Sequence, residues 1–252
     1  MREPGEFCWF NMLTPRPAEA RTFFGSVLGW ESNENPFMGY TLSVGGHDIG
    51  AMFDVDGAGT PKGTPPHIGV MLLVENADAA CKTVRSLGGE AQPPFDIMGT
   101  LRMAVCTDPA VAEFDVWEPG KSHGTDVDSH LHGAPSWFEL LTFDVAGAAR
   151  FYSGLFGWRS RAMPKPGGEY TMFDHNGAGV AGMMRIAPEM GFLPPHWGTY
   201  FTVRSADDAV REAVKLGATI CARLREVPGV GRFCGIVSPQ RVMFHVIEYA
   251  RS

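Results

Sequence analysis

The sequence lacks the features of a secreted, membrane-spanning or disulfide-stabilised protein. It has five cysteines in 252 residues, an odd number, and no Cys-x-x-Cys spacing. Most of them lie in apolar segments, so we interpret them as reduced packing residues. No stretch has the long apolar run of a membrane span, and the start of the chain lacks the apolar core of a signal peptide. These absences predict a cytoplasmic protein that does not associate with membranes.

Positive charge is also scarce in this chain. Lys and Arg number 21 against 28 Asp and Glu, which gives a formal net charge of -7 and a pI of about 5.6. Nucleic-acid binding depends on clustered Lys and Arg, so the composition argues against such a partner. A small organic molecule is the partner that the sequence favours.

What the sequence does contain is an internal repeat. Residues 9–30 and 137–158 are identical at 9 of 22 positions when they are aligned without a gap. The repeat continues downstream, where Thr64 to Asp78 matches Leu193 to Asp207 and Arg102 to Glu118 matches Arg232 to Glu248. Such self-similarity shows duplication and must be interpreted before any local motif.

The repeat predicts two domains, residues 1–118 and 135–252, joined by a linker at 119–134 that is rich in Gly, Ser, Asp and His. A weaker repeat within each half ends a helix-like segment with Leu-Gly or Phe-Gly, which indicates four modules. In the fourth module, Ser205 is expected to cap a helix. The apolar positions of that helix, its expected buried face, are Ala206, Ala209, Val210, Ala213 and Val214.

These motifs resemble the vicinal oxygen chelate superfamily, which contains glyoxalase I, the bleomycin and fosfomycin resistance proteins and the extradiol dioxygenases. The resemblance rests on a Trp-Phe-x-x-Leu-Thr strand, a helix with Phe-Phe or Phe-Tyr, and a closing Leu-Gly-Trp or Phe-Gly-Trp. It implies an α+β fold of two tandem glyoxalase-like domains. Each domain would be a pair of βαβββ modules that form an open half-barrel sheet around a cavity.

The resemblance also implies a divalent metal, such as Fe, Zn, Ni or Mn, that binds two neighbouring substrate oxygens. The positions of the family's metal ligands are mostly replaced here. The first-strand ligand falls on Trp9 and Trp137, and indole cannot bind a metal. The ligand of the second module falls near Gly69 and Gly198, and the last-strand ligand falls on Asp115 and His245.

A displaced metal site is one interpretation of the remaining polar residues. Residues two apart on a strand share a face, so Glu139 lies on the face of Trp137 and His196 on the face of Gly198. Glu139, His196 and His245 would then form a two-His, one-carboxylate set with catalytic or metal-binding roles. In the alternative interpretation, His67 and His196 follow Pro-Pro at strand entrances and only hydrogen-bond a neighbouring loop.

Candidate substrate-binding residues come from matched positions in the two halves. Trp9, Trp137 and Asn11 would line aromatic pockets, although both tryptophans could instead fill the core. Arg102 and Arg232 could bind an anionic group, or could form salt bridges at a strand edge. Glu118 and Glu248, which end matched strands, are expected to face solvent. Further wall candidates are Phe37, Tyr40, Tyr170, Phe173, Trp197 and Tyr200.

Three functions are compatible with this pattern. The first is an enzyme of lyase, isomerase, dioxygenase or hydroxylase type that acts on a small oxygenated molecule. The second is a metal-free protein that binds and sequesters a drug or metabolite. The third is a structural or regulatory protein with vestigial cavities. The chain is expected to be a monomer or a homodimer.

Overall fold

The computed structural model describes residues 2–35, 39–165 and 168–250. The order of elements is strand, helix and several strands, four times over. The repeat units in the sequence therefore correspond to four structural modules.

The first two modules form one sheet. Its strands are β1 (Phe7–Thr14), β2 (Glu31–Asn35), β3 (Gly39–Val44), β4 (His47–Asp54), β5 (His67–Leu73), β6 (Glu90–Ala91), β7 (Phe95–Ile97), β8 (Leu101–Thr107) and β9 (Glu113–Pro119). Their order in the sheet is β2-β3-β4-β1-β5-β9-β8-β6, and β7 pairs with β8. In each module the first strand is parallel to the last, β1 to β4 and β5 to β9.

The last two modules form the second sheet with the same plan. Its strands are β10 (Pro135–Thr142), β11 (Arg159–Lys165), β12 (Gly168–His175), β13 (Ala178–Arg185), β14 (His196–Thr202), β15 (Thr219–Val227), β16 (Gly231–Val237) and β17 (Met243–Tyr249). Their order is β11-β12-β13-β10-β14-β17-β16-β15. A short 3-10 helix, Pro188–Met190, lies between β13 and β14.

Each module has one α-helix after its first strand: α1 (Pro17–Leu28), α2 (Ala77–Ser86), α3 (Val145–Phe156) and α4 (Ala206–Lys215). The predicted ends of α1 and α3 are confirmed, because Gly29 and Gly157 follow them with φ of 68° and 71°. Ser205 caps α4, since its side chain accepts a hydrogen bond from the Asp208 amide at 3.2 Å. In the described part of the chain, no helix has the length and apolarity that a membrane crossing requires.

The predicted buried face of α4 is partly wrong. Ala206, Ala209 and Ala213 are buried, but Val214 is 49% exposed. The three alanines are spaced by three and four residues and form a narrow stripe, and Val214 lies beside this stripe. The prediction from helical spacing therefore made the buried face of α4 wider than it is.

The chain divides into two compact units that do not follow chain order. Unit 1 contains the described parts of residues 1–9, 69–124 and 137–198, and unit 2 those of 10–68, 125–136 and 199–252. The second and third modules therefore build unit 1, and the first and fourth build unit 2. The two sheets divide the chain close to the predicted boundaries at 118 and 135. The two compact units divide it elsewhere, so the domain boundaries stay a prediction.

Each unit has its own apolar core on the helix side of its strands. In unit 2, Phe24 of α1 packs edge-on against Phe244 of β17, with ring centroids 5.1 Å apart. In unit 1, Phe114 of β9 packs in the same way against Tyr152 of α3 at 5.7 Å. Burial of large aromatic side chains in two such cores supplies the main stabilising free energy of the fold.

The core of unit 1 contains a series of side-chain hydrogen bonds with no equivalent among the described residues of unit 2. The Trp197 indole N–H donates to the Tyr152 hydroxyl at 2.9 Å, and this hydroxyl donates to Asp108 Oδ2 at 3.3 Å. Asp108 Oδ1 accepts from the amides of Ala110 and Ala112. The positions in unit 2 that match Trp197, Tyr152 and Asp108 are Ile68, Phe24 and Ser238. Of these three, Ser238 makes the same contact as its counterpart Asp108, because it accepts a hydrogen bond from the Val242 amide.

Stability is expected to depend on pH through Asp108. Burial raises the pKa of this carboxyl above its ordinary value of 3.8. Because the folded-state pKa is the higher one, the stabilising contribution is complete below pH 3.8 and is lost as pH rises through the raised pKa. The free energy of unfolding of the wild type should therefore fall, relative to that of Asp108→Asn, as the pH rises from about 4 toward neutral. Urea unfolding across this range measures the difference, and a difference independent of pH would contradict the assignment.

Candidate functional site

The two faces of the second sheet have different roles. On β10, β12 and β13, Leu140, Phe173 and Met183 belong to the helix-side core of unit 1. Because side chains alternate along a strand, Trp137 and Glu139 lie on the opposite face, together with Tyr170 and other neighbours in register. We call this the open face of the third module, defined by Trp137, Glu139, Tyr170, Met172, Gly182 and Met184.

An aromatic pair forms the wall of the open face. The Trp137 indole N–H donates to the Tyr170 hydroxyl at 3.1 Å, and both side chains are half-buried. A Cβ on Gly182 would overlap the Tyr170 hydroxyl, so the absence of a side chain at Gly182 allows the tyrosine ring to lie flat on the sheet. Sequence reasoning named both aromatic residues but missed Gly182, because no local pattern shows which glycine lies beneath a ring.

Glu139 lies directly beside Gly182 in the sheet. The two residues are register partners in the parallel pair β10 and β13, and Glu139 is only 6% exposed. A buried carboxyl group on the open face, two residues from Trp137 on the same strand, is a candidate for acid-base chemistry. Its predicted catalytic role stays a prediction.

His196 begins β14 in unit 1. Its ring Nδ1 is 2.8 Å from the Pro194 carbonyl oxygen, and His67 makes the matched contact with Pro65 at 2.8 Å. These contacts agree with the loop-bonding interpretation of both histidines. Nε2 of His196 is buried and has no hydrogen-bond partner among the described residues, and burial lowers the pKa of the ring.

Unit 2 holds the other predicted site residues of the second half. Tyr200 and His245 are register partners on β14 and β17, and their rings stack with centroids 4.4 Å apart and an interplanar angle of 16°. Phe233 of β16 approaches Tyr200 edge-on at 6.1 Å. The three rings form an aromatic cluster on the strand face opposite the core of unit 2.

The donor set does not fit a metal. Glu139 and His196 belong to unit 1 and His245 to unit 2. In residues 2–35, 39–165 and 168–250, no group of three or more His, Cys, Asp or Glu side chains is placed to hold a metal ion. Since a structural or catalytic site needs three or more such ligands, the metal role predicted for Glu139, His196 and His245 is not supported.

Two of the matched residues of the first half, Trp9 and Asp115, are more enclosed than their counterparts. Trp9 is 9% exposed and its ring lies 5.7 Å from Trp117, which is 3% exposed. Asp115, at the last-strand position, is also buried. Asn11 is half-buried and lies opposite Ala51 in the sheet. Trp9 therefore packs against its own sheet, whereas Trp137 stays partly accessible.

The two arginines have protein partners instead of open space. Arg102 binds Asp78 at 3.0 Å, and Arg232 binds Asp207 at 3.1 Å. The first turns of α2 and α4 contain these acids, so the salt-bridge alternative is the one that the structure shows. The proposed anion-binding role of Arg102 and Arg232 is not supported.

The two strand-end glutamates do not simply face solvent. Glu118 accepts a hydrogen bond from the Ala77 amide at 2.7 Å, and Glu248 accepts one from the Ala206 amide at 2.9 Å. Both carboxylates therefore satisfy the first amide of a helix, where negative charge is favourable. Their matched positions in the repeat were the signal that could have indicated this role.

The remaining wall candidates separate by face. Phe173 and Trp197 lie in the core of unit 1, and Tyr40 packs beneath the Arg21 guanidinium at 4.5 Å. Phe37 lies outside the described residues. Of the wall candidates among the described residues, Tyr170 and Tyr200 are the two that lie on strand faces pointing away from the cores.

Comparisons with known proteins identify the family. The model described as Glyoxalase/Bleomycin resistance protein/Dioxygenase superfamily matches residues 7–115. A Mycobacterium tuberculosis protein named "Putative glyoxylase CFP32" is 30% identical over 249 residues, which cover 96% of this chain and 94% of that protein. The chain belongs to this superfamily. "Anthracycline biosynthesis protein DnrV" of Streptomyces peucetius is also 30% identical, over 260 residues, with 97% and 94% coverage.

Solved structures of the superfamily share the fold. A 2,2',3-trihydroxybiphenyl 1,2-dioxygenase from Sphingomonas wittichii matches with a TM-score of 0.69 at 10% identity, covering 98% of this chain and 91% of that one. The Mn(II)-bound glyoxalase from Novosphingobium aromaticivorans matches with a TM-score of 0.65 at 15% identity, covering 98% and 83%. The α+β fold of two tandem glyoxalase-like domains is therefore confirmed, and the superfamily includes both dioxygenases and glyoxalases.

Proposed function

We propose that the chain is an enzyme that moves a proton on a small, planar, oxygenated aromatic molecule bound at the open face of the third module. The observation that carries the proposal is the buried carboxyl of Glu139 on the same face as the hydrogen-bonded pair of Trp137 and Tyr170. Apolar walls with a few convergent polar groups are typical of small-molecule sites.

The composition of the open face favours a flat ligand. Trp137 and Tyr170 offer ring surface, and aromatic contacts add about 0.5–1.5 kcal/mol beyond area burial. Met172 and Met184 are half-buried on the same face, and flexible thioether side chains adapt to irregular shapes. A C–H bond next to a carbonyl group of the ligand, or a phenol O–H group, would provide the proton that Glu139 removes.

The named relatives support the same substrate class. One relative is named for anthracycline biosynthesis and one as a glyoxylase. Both names are compatible with an oxygen-rich organic substrate, and we extend this class to the present chain. The replacement of the family's metal ligands by Trp and Gly favours chemistry that uses side chains of the protein.

A ligand panel with tryptophan variants tests the site. We expect hydroxylated anthraquinones and related phenolic ketones to bind the wild type, and Trp137→Leu to weaken binding by about tenfold, because one aromatic contact is lost. Isothermal titration calorimetry measures the dissociation constants. Trp9→Leu is the matched control, since Trp9 has the equivalent sequence position but is enclosed, and it should leave affinity unchanged.

Two results would decide against the proposal or modify it. Failure of every compound to bind, or an equal loss of affinity in Trp9→Leu, would reject the open face of the third module as the site. Binding without any turnover would instead identify a sequestration protein. The aromatic wall could bind a ligand in this way without a catalytic role for Glu139.

A further inference from the structure

The two units contain equivalent segments just before β1 and β10. Gly5 and Gly133 both have φ of 89°. The carbonyl of Gly5 accepts the indole N–H of Trp158 at 2.8 Å, and that of Gly133 accepts the indole N–H of Trp30 at 2.8 Å. The residues before these glycines, Pro4 and His132, therefore occupy equivalent places in unit 1 and unit 2.

In unit 2 the His132 ring fills a space beside α1. Its Cδ2 atom would lie 3.3 Å from a Cβ on Gly29, and its Nδ1 accepts the backbone N–H of Arg204 at 3.3 Å. Burial and the nearby Arg204 charge lower the pKa of His132. The His132 ring in this space is therefore a neutral imidazole, and one of its nitrogens accepts a hydrogen bond.

In unit 1 the equivalent space is an open cleft. Pro4 replaces His132, and a Cβ on Gly157, the counterpart of Gly29, would meet no described heavy atom within 4 Å. The cleft has a volume of about 270 Å³, close to the range of small-molecule pockets. Its lining includes Leu73, Val74, Glu75, Ala79, Leu155 and Phe156. We call it the α2–α3 cleft.

Glu75 gives the cleft its polar character. It is the counterpart of Arg204, and in the described part of the chain its backbone N–H has no acceptor within hydrogen-bond distance. Its exposed carboxylate offers an acceptor where unit 2 has a guanidinium. A neutral imidazole carries one ring acceptor and one N–H donor, which match these two groups of Glu75.

We propose that the α2–α3 cleft is a second binding site, separate from the open face of the third module, for a small heteroaromatic molecule of the imidazole class. The ligand ring takes the place that His132 has in unit 2. Its acceptor nitrogen binds the Glu75 amide, and its apolar edge lies against Leu155 and Phe156.

The probe for this site is 4-methylimidazole, which has the structure of the histidine side chain. Titration of the full-length wild type, followed by amide chemical shifts, should move the Glu75 and Gly157 signals with saturation at a Kd on the order of 1 mM, as expected for so few atoms. The Gly29 and Arg204 signals should stay unchanged, because His132 fills their cleft.

Two variants on the exposed surface of α2 provide the comparison. Ala79→Phe places a ring in the cleft and should weaken the response by about tenfold or more, because the ligand space is filled. Ser86→Phe adds the same ring to the same helix outside the cleft and should change nothing. In His132→Ala, the Gly29 and Arg204 signals should begin to respond to the probe.

The titrations of the wild type and of Ala79→Phe can each overturn the proposal. Shifts that do not saturate, or that are equal at the Gly29 and Gly157 amides, would show nonspecific binding. A response that survives unchanged in Ala79→Phe would place the probe elsewhere on the protein.

Discussion

Replacement of Glu139 by glutamine is expected to lower turnover by a factor of about 10² to 10⁴, the usual contribution of a general base. Glutamine keeps the size of the side chain but cannot accept a proton from a substrate carbon or hydroxyl group. The binding of phenolic ketones should change much less, since Trp137 and Tyr170 provide the ring contacts. A loss of rate without a similar loss of affinity would identify Glu139 as the base.

The measurement is solvent exchange at a carbon next to a carbonyl group. In deuterium oxide, the base removes the proton to give an enolate, exchanges that proton for a deuteron of the solvent and returns the deuteron to carbon, so that NMR detects loss of the C–H signal. Asp115→Asn is the matched control, because Asp115 is a similarly buried acid at 8% exposure on a strand of the first sheet. Equal rates in Glu139→Gln and the wild type would eliminate the base, whereas equal losses in both variants would indicate a structural effect.

The second large effect is expected for Tyr152→Phe. This change removes the hydroxyl that links Trp197 to Asp108 in the core of unit 1. A buried indole N–H and a buried carboxyl oxygen then lose a partner, and each unsatisfied group costs about 1–3 kcal/mol. We expect the free energy of unfolding to fall by about 3 kcal/mol, measured by urea denaturation at neutral pH.

The repeat itself provides a control for this prediction. Asp108→Ser combined with Tyr152→Phe reproduces the Ser238 and Phe24 pair of unit 2, and should recover part of the lost stability because the orphaned carboxyl is gone. Tyr40→Phe changes a half-buried tyrosine outside this chain of hydrogen bonds and should shift stability by less than about 0.5 kcal/mol. A Tyr152→Phe loss as small as that of Tyr40→Phe would mean that the hydrogen bonds do not contribute.

Some parts of the site followed directly from the pattern of the sequence. The exclusion of Trp9 and Trp137 as metal ligands needed only the chemistry of indole. The loop-bonding alternative for His67 and His196 followed from Pro-Pro before each strand, and the structure agrees with it. Local geometry decides such features, so matched local sequence is enough to predict them.

Other parts required distances between segments far apart in the chain. Arg102 and Asp78 are 24 residues apart, and from the sequence a salt bridge was at least as well supported as the binding of an anionic group. Likewise Trp9 and Trp137 occupy equivalent positions, yet only Trp9 is enclosed, because Trp117 packs against it. Periodicity reports which face a residue occupies but not what covers that face.

The sequence by itself determined the duplicated modules and their strand and helix order, because local repeats and hydrophobic periodicity show both. The resemblance to the superfamily rested on short motifs within those modules. Only the tertiary structure decided how the modules combine into cores. The second module shares a compact unit with the third. The first module shares one with the fourth, although these two modules lie at opposite ends of the chain. The physical reason is that one module buries its helix face against whichever apolar surface is complementary, and shape complementarity between distant segments leaves no periodic signal in the sequence.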